Sequence, residues 1–282
     1  MALKLSNAFG AWERDRPLAP GWEGVEPFRC RSHDEQPVAG WARASPDALG
    51  TVFIGHGFTD HCMKPGVVAT ARAIAARHRV SVVAIDFRSH GLSSDRWPTF
   101  GTAEMWDYQA AMTWAEEQQG YPKPFFLHGA SLGAMGAQRT AVSDGRVRGV
   151  FLQSPPAWPW HALGVATKIA SPLVGSAINL SYGWDILSDG DIRRHSASPA
   201  HKPLICCVIG GRDHYGVGAT RKVFEHWYRN ELNQLEILPR EDAMQTKWFL
   251  TVEPADHFWS TEAECEPLDQ IMHTYFAHAL SR

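Results

Sequence analysis

The feature that most constrains this chain is the alternation of short apolar runs with helical patterns between residues 51 and 153. Continuous apolar runs of strand length occur at "TVFIG" (51–55), "RVSVVAIDF" (79–87), "KPFFLHG" (123–129) and "VRGVFLQ" (147–153). Helical spacing of apolar residues is found at 66–78, at 102–120 and in "SLGAMGAQRTAV", the segment that begins at residue 131. This order predicts an α/β fold with a mostly parallel sheet and helices on both faces.

The remaining sequence extends the same pattern. We predict strands at 203–211 and within 246–253, and helices at about 218–229 and 265–280. With two edge strands in the first 48 residues, the sheet has eight strands. Prolines and tryptophans interrupt the pattern from 155 to 202, which predicts a short cap insertion within one domain spanning residues 1–282.

Composition and charge indicate which kinds of molecule the protein binds. The net charge is -3, with 27 basic and 30 acidic residues and no block of like charge, so neither nucleic acid nor an anionic membrane is an expected partner. The first residues carry charges and lack a long apolar core, which is unlike a signal peptide. The apolar stretch 157–179 is broken by two prolines, His161 and Lys168, so stable membrane insertion is not expected. A small molecule is the expected partner.

The five cysteines show no CxxC spacing, and Cys206 and Cys207 lie together in an apolar run. We interpret them as buried free thiols, and therefore expect a reducing compartment and a cytoplasmic protein. The histidines form no HExxH pattern and the cysteines have no partners at zinc spacing, so no metal and no cofactor are expected.

Ser131 lies in "HGASLGAM", between Gly129 and Gly133, with a predicted strand before it and a predicted helix after it. A nucleophile elbow requires this arrangement, because its sharp turn excludes side chains at the two flanking glycines. A glycine-rich bend with a bystander serine is the alternative. A dinucleotide-binding turn does not fit, because the glycines stand at 129, 133 and 136 and not at G-x-G-x-x-G spacing.

A serine nucleophile needs a histidine to take its proton and a carboxylate to orient that histidine, and after an elbow the acid precedes the histidine in the chain. Among the histidines after residue 131, His257 occupies a short loop between the last predicted strand and the last helix. The others fall in the insertion, in predicted helices or, as for His214, too early to leave room for the acid. His257 is therefore the predicted base.

Asp213 closely follows the strand predicted at 203–211, so it is the predicted acid. Asp256 is adjacent to His257, and neighbouring side chains on an extended loop point apart. Asp242, on an unassigned stretch, is the fallback for the acid.

An oxyanion hole requires backbone amides that already point at the developing charge. The elbow supplies the Leu132 amide at the start of a helix, and the loop "HGFTDH" (56–61) supplies the Phe58 amide, with Gly57 permitting an unusual bend. We expect His56 and His61 to serve packing and hydrogen bonding within this loop.

In this order, "IGHGFTDH", "AIDFRSHGLSS", "HGASLGA", "VIGGRDHYG" and "ADHFW" resemble the α/β-hydrolase family, and especially its lysophospholipase and monoacylglycerol-lipase-like branch. The resemblance runs from about residue 50 to the C-terminus and implies the α/β-hydrolase fold. It implies a nucleophile, an acid, a base and two oxyanion-hole amides at Ser131, Asp213, His257, Phe58 and Leu132. Such families use the residues matching His90 and Gly91 structurally, so neither they nor Asp86 enter the catalytic set. Ala130 and Ala134 depart from the residues common in relatives.

The expected activity is hydrolysis of a carboxylic ester with an apolar or aromatic acyl group, lysophospholipid- or monoacylglycerol-like, through an acyl-enzyme. Aromatic residues of the insertion are candidate pocket residues, with anchoring of the cap as the alternative, and these are Trp158, Trp160, Tyr182 and Trp184. Four alternative functions remain open. Three are enzymes on the same triad, namely a carbon–carbon bond hydrolase, a thioesterase and an acyltransferase, and the fourth is a slow-turnover ligand receptor. An enzyme that attacks halides or epoxides is not expected, because it would require aspartate at position 131.

Overall fold

The computed structural model describes residues 22–118, 120–156, 171–183, 185–189, 203–213 and 249–281. Within these ranges the strands, in chain order, are β1 Val25–Arg31, β2 Pro37–Arg43, β3 Thr51–Gly55, β4 Ser81–Asp86, β5 Phe125–Ala130, β6 Val147–Gln153, β7 Leu204–Gly210 and β8 Phe249–Val252. The helices in the same ranges are α1 Pro65–Arg77, α2 Thr102–Glu116, α3 Leu132–Ser143, α4 Ser171–Tyr182, α5 Ile186–Asp189 and α6 Glu262–Leu280.

The eight strands form one sheet in the order β1-β2-β4-β3-β5-β6-β7-β8. The hairpin β1–β2 is antiparallel and joins the sheet antiparallel to β4, and the remaining neighbours are all parallel. The predicted eight-stranded, mostly parallel sheet is therefore confirmed, including the two edge strands in the first 48 residues. Because the central strands are parallel, their carboxyl ends lie along one edge, where ligand sites of open α/β sheets occur.

Both faces of the sheet are covered, as continuous apolar strands require. Successive residues of β4 enter different cores: Val83 and Ile85 pack on one face, and Val82 and Ala84 on the other. Helices α2 and α3 contribute to the first core, and α1 and α6 to the second. Burial of these apolar side chains is the main favourable term for folding, at roughly 25 cal/mol per Å².

The ends of several elements differ from the prediction. Helix α2 ends at Glu116, although the pattern runs to Gly120, because the chain turns into β5 through a left-handed glycine at 120. Helix α6 begins three residues earlier than expected, after Thr261, where the Glu264 carboxylate accepts the amides of Ser260 and Thr261. The helix predicted at 218–229 lies outside the described residues.

Of the insertion predicted at 155–202, the described part contains α4 and α5. Ile178, Ile186 and Leu187 pack in the same core as Leu132 of α3, so these helices are attached to the body of the domain. The five cysteines are free, but only three are fully buried, whereas Cys30 and Cys265 are partly exposed. Among the described helices, none combines the length and the apolar character that crossing a membrane would require.

Candidate active site

The turn between β5 and α3 places Ser131 in a strained conformation at the carboxyl edge of the sheet. Its φ is 50°, in the left-handed region that non-glycine residues rarely adopt. A Cβ at Gly129 would lie 2.4 Å from the Gly133 carbonyl oxygen, and a Cβ at Gly133 would lie 2.7 Å from the backbone of Gly55. Both glycines are therefore required sterically, as the elbow interpretation predicts.

Three side chains from separate segments meet at this turn. The Oγ of Ser131 lies 3.0 Å from Nε2 of His257, and Nδ1 of His257 lies 2.9 Å from Oδ2 of Asp213. The Asp213 side chain is fully buried and that of His257 is 8% exposed. A carboxylate at Nδ1 fixes the tautomer that leaves Nε2 free to accept the proton of the serine. The structure thus brings together the three residues that the sequence selected.

The loops carrying Asp213 and His257 are joined directly through their backbones. The amide of Gly211 donates to the Val252 carbonyl at 2.8 Å, and the amide of Arg212 donates to the Ala255 carbonyl at 2.9 Å. The hydrogen bond between the two side chains therefore connects loops that already share a fixed spacing.

Asp256 has a different role from Asp213, although it adjoins His257 in the chain. Its Oδ1 accepts the amides of Phe258 and Trp259 at 2.8 and 2.9 Å. These bonds form a compact turn just after His257, and the carboxylate that contacts the His257 ring is that of Asp213.

Two backbone amides near Ser131 have no acceptor among the described residues. Neither Phe58 N–H nor Leu132 N–H donates a hydrogen bond within the described part of the chain. Leu132 begins α3, where the helix dipole favours negative charge. The loop that carries Phe58 passes close to Ser131, since a Cβ at Gly57 would lie 3.8 Å from Cβ of Ser131.

His56 and His90 hold the loop that carries Phe58. His56 Nδ1 donates to the Gly57 carbonyl at 2.7 Å, while its Nε2 accepts the Phe87 amide at 3.1 Å. Because His56 donates to the carbonyl of the Gly57–Phe58 peptide, it fixes the plane in which the Phe58 amide lies. Burial, and next the charge of His90, hold the pKa of His56 well below its ordinary value, so the ring is neutral. His90 Nε2 donates to the Phe58 carbonyl at 2.6 Å.

Asp86 is a structural carboxylate, as expected. Its oxygens accept the amides of Cys62 and Leu92, at 2.7 and 2.8 Å, and so connect the loops that follow β3 and β4. A Cβ at Gly91 would collide with the Asp86 carboxylate. This explains the glycine beside His90.

Comparison with known proteins identifies the family. The family model for serine aminopeptidase, S33, matches residues 46–203, more than half of the chain. The chain belongs to this family of α/β hydrolases. No curated protein matches the sequence.

Solved structures share the α/β-hydrolase fold at low sequence identity. An esterase of Pyrococcus furiosus is 16% identical, with 90% of each chain covered and a TM-score of 0.66. Est1E from Butyrivibrio proteoclasticus, solved with ferulic acid bound, is 13% identical over 90% of this chain and 99% of that one, with a TM-score of 0.65. Alpha/beta hydrolase domain-containing protein 10 from mouse is 13% identical, with the same coverages and a TM-score of 0.59.

In this α/β hydrolase, Tyr182 attaches α4 to the body of the domain. Its hydroxyl accepts a hydrogen bond from Arg88 at 3.1 Å and donates to the Trp97 carbonyl at 2.8 Å. The other candidate pocket residues, Trp158, Trp160 and Trp184, lie outside the described residues, as does Asp242.

The sequence analysis did not identify Arg88, the buried cation that donates a hydrogen bond to Tyr182. The fully buried guanidinium of Arg88 pairs with Asp107 of α2 and with Asp34 of the β1–β2 turn, at 2.7 and 2.9 Å. Removing one partner from such a pair typically costs about 3–5 kcal/mol. The signal available in the sequence was an arginine directly after the apolar run 79–87, at the end of a predicted buried strand.

Proposed function

We propose that the protein hydrolyses carboxylic esters with Ser131 as nucleophile, His257 as general base and Asp213 as the carboxylate that orients His257. The observation that carries the proposal is the continuous chain of hydrogen-bonding distances, 3.0 Å from Ser131 to His257 and 2.9 Å from His257 to Asp213. These lie within the reach required between a nucleophile, its base and the group that orients the base.

The reaction has two halves. Oγ of Ser131 attacks the ester carbonyl carbon while Nε2 of His257 takes the hydroxyl proton, and the carbonyl electron pair moves to the oxygen. The intermediate collapses, the C–O bond to the alcohol breaks, and His257 returns the proton to the leaving alcohol. Water then attacks the acyl-enzyme by the same route and releases the acid and free Ser131.

The negative oxygen formed in each half needs preorganised donors. The amides of Phe58 and Leu132 are the proposed donors, since both lie beside Ser131 and neither has another acceptor among the described residues. Loss of one such donor typically costs about 10²–10³-fold in turnover.

The proposed substrate is an ester with an apolar or aromatic acyl group, of the lysophospholipid or monoacylglycerol type. Aromatic rings support this choice, because Phe58 stacks on Phe100 with centroids 5.4 Å apart, and both pack in the core that contains Leu132. The fold shared with Est1E, solved with ferulic acid bound, is consistent with an aromatic acyl group.

The test is Ser131→Ala. We expect hydrolysis of p-nitrophenyl acetate, octanoate and cinnamate to fall by at least about 10³-fold, because the attacking oxygen is lost. The melting temperature should fall little or rise, because the hydrogen bond to His257 is the one side-chain bond that Ser131 makes among the described residues. A Ser131→Ala protein that hydrolyses all three esters at the wild-type rate would refute the proposal.

A second candidate is an aminopeptidase, favoured by the position of Asp60. A Cβ at Gly57 would lie 3.3 Å from the Asp60 carboxylate and 3.8 Å from Cβ of Ser131, so this carboxylate is close to the nucleophile. Its side chain makes no hydrogen bond within the described residues, and a free α-ammonium group could bind it. Amino-acid arylamides in the same assay distinguish the two, since an aminopeptidase would prefer them and would lose that preference in Asp60→Asn.

A further inference from the structure

Ser154 lies where the segments that carry the three proposed catalytic residues meet. It directly follows β6, whose last residue, Gln153, accepts the amide of Ser131 at 2.9 Å. Its own amide donates to the Val208 carbonyl at 2.8 Å, in the strand that leads to Asp213. Ser154 thus lies between the nucleophile turn and the acid loop.

The Ser154 hydroxyl contacts the segment that carries His257. It accepts a hydrogen bond of 3.0 Å from the indole Nε1 of Trp259, two residues after His257. Both side chains are buried, with exposures of 1% for Ser154 and 5% for Trp259. A buried bond of this kind is protected from competition with water, so it fixes the distance between its two loops.

Both residues of this bond have strained backbones. The φ of Ser154 is 47° and that of Trp259 is 54°. A left-handed φ is an outlier for a side chain as large as tryptophan. Such conformations persist where the surrounding structure over-determines them, and they concentrate at functional sites.

Trp259 belongs to the same hydrogen-bonded turn as His257. The Asp256 carboxylate accepts the amides of Phe258 and Trp259, so residues 256–259 form one compact turn. His257 lies inside this turn, and its imidazole must stay aligned with Ser131 for proton transfer.

We propose that Ser154 and Trp259 are positioning residues, whose hydrogen bond holds the imidazole of His257 in register with Ser131. The inference rests on the function proposed above. Neither residue touches the reacting atoms, and both act through the loop geometry.

The experiment compares Ser154→Ala, Ser154→Gly and Trp259→Phe with wild type. We expect kcat to fall about 10-fold to 100-fold in all three with KM changed less than about twofold, because misalignment slows proton transfer more than substrate binding. The rate of Ser131 labelling by a fluorophosphonate should fall in parallel. The double variant Ser154→Ala with Trp259→Phe should be no slower than the slower single variant, because both single variants remove the same hydrogen bond.

Two variants separate positioning from stability. Ser154→Gly removes the hydroxyl but relieves the left-handed backbone, so it should melt no lower than Ser154→Ala while losing the same kcat. The matched control is Ser81→Ala, a buried serine that accepts the Ser45 amide and donates to the Gly120 carbonyl at the opposite edge of the sheet. It should lower the melting temperature and leave kcat unchanged.

The proposal is overturned if folded Ser154→Gly and Ser154→Ala keep wild-type kcat and labelling rate, or if the losses of the single variants multiply in the double variant. The proposed ester hydrolysis fails separately, if wild type and Ser131→Ala have equal turnover. In that case the labelling rates alone decide the positioning role, because they need only the alignment of Ser131 with His257.

Discussion

Ser81 and Ser154 are both buried serines whose hydroxyls join two segments, but they lie at opposite edges of the sheet and their backbones differ. Ser81 starts β4 at the amino edge in ordinary extended conformation, whereas Ser154 follows β6 at the carboxyl edge with a left-handed φ of 47°. The difference extends beyond this pair. All the non-glycine residues with left-handed φ in the described ranges lie in turns at the carboxyl edge, and these are Glu35, Ser89, Phe100, Ser131, Ser154 and Trp259.

At the amino edge, the left-handed positions of the described residues are the glycines 24 and 120, which adopt this conformation without steric cost. Each non-glycine residue in such a conformation costs about 1–3 kcal/mol. Among the described residues, the strained non-glycine positions therefore lie at the edge that holds the proposed active site, and the left-handed positions of the other edge are glycines. The comparison predicts that changes at the carboxyl edge alter activity, and that changes at the amino edge alter only stability.

The largest effect is expected for Gly133→Ala at the carboxyl edge. The new Cβ would lie 2.7 Å from backbone carbon and oxygen of Gly55, and backbone atoms cannot move aside as a flexible side chain can. We expect a loss of about 3 kcal/mol or more in the free energy of unfolding, measured by urea denaturation, with loss of ester hydrolysis.

The matched control is Gly66→Ala in the first turn of α1, where a Cβ meets nothing within 4 Å. Alanine there should be neutral or stabilise by up to about 1 kcal/mol. Equal stability of the two alanine variants would mean that the close approach of α3 to β3 is not needed for the fold.

A smaller effect is expected from the titration of His128, which lies in β5 between the two edges. Burial lowers its pKa from 6.5 to about 4, so the folded protein keeps the ring neutral while the unfolded chain binds a proton. Stability from this group is therefore complete above pH 6.5 and is lost as the pH falls from 6.5 to 4. The loss is about 1.4 kcal/mol per pH unit, or roughly 3 kcal/mol in all.

The measurement is urea denaturation of wild type and His128→Leu at pH 7 and pH 4.5. The variant should lose less stability than wild type between pH 7 and pH 4.5, because leucine has no group that binds a proton in the unfolded chain. Other buried histidines, such as His56, give both proteins a common acid sensitivity. Equal losses in the two proteins would show that His128 does not contribute.

The sequence predicted the sheet and the sharp turn at Ser131 because the signals for both are local. Apolar runs of strand length specify strands wherever they occur, and Gly129 and Gly133 flank Ser131 within five residues. His257 and Asp213 were found through the order of elements, since the carboxyl ends of parallel strands share one edge.

The bond between Ser154 and Trp259 could not be predicted in this way, because 105 positions separate the two residues and no spacing rule links them. Its formation depends on where two loops meet after the sheet has assembled. The same holds for Arg88 and Asp34, 54 positions apart. By contrast, the early start of α6 had a local signal in Thr261 and Glu264, which have capping-box spacing.

The smallest effects are expected at two ion pairs whose basic side chains are exposed, one at each edge. Arg212, whose side chain is 64% exposed, donates to Glu264 and to the Pro254 carbonyl in the loop before His257, and Lys123, 57% exposed, pairs with Glu116 at the amino edge. Glu264 is buried, but its carboxylate also accepts the amides of Ser260 and Thr261, so it keeps partners when Arg212 is removed. An exposed cation contributes about 0–1 kcal/mol, so Arg212→Ala and Lys123→Ala should both lower the free energy of unfolding by less than about 1 kcal/mol.

The two variants should differ in activity. Arg212→Ala loosens the start of the loop that carries His257, so kcat should fall about twofold, whereas Lys123→Ala should leave kcat unchanged. Steady-state hydrolysis of p-nitrophenyl acetate by the two variants, at matched fractions of folded protein, measures this difference. If Lys123→Ala lowered kcat as much as Arg212→Ala, the amino edge would influence the active site too, and the contrast between the edges would be one of backbone strain alone.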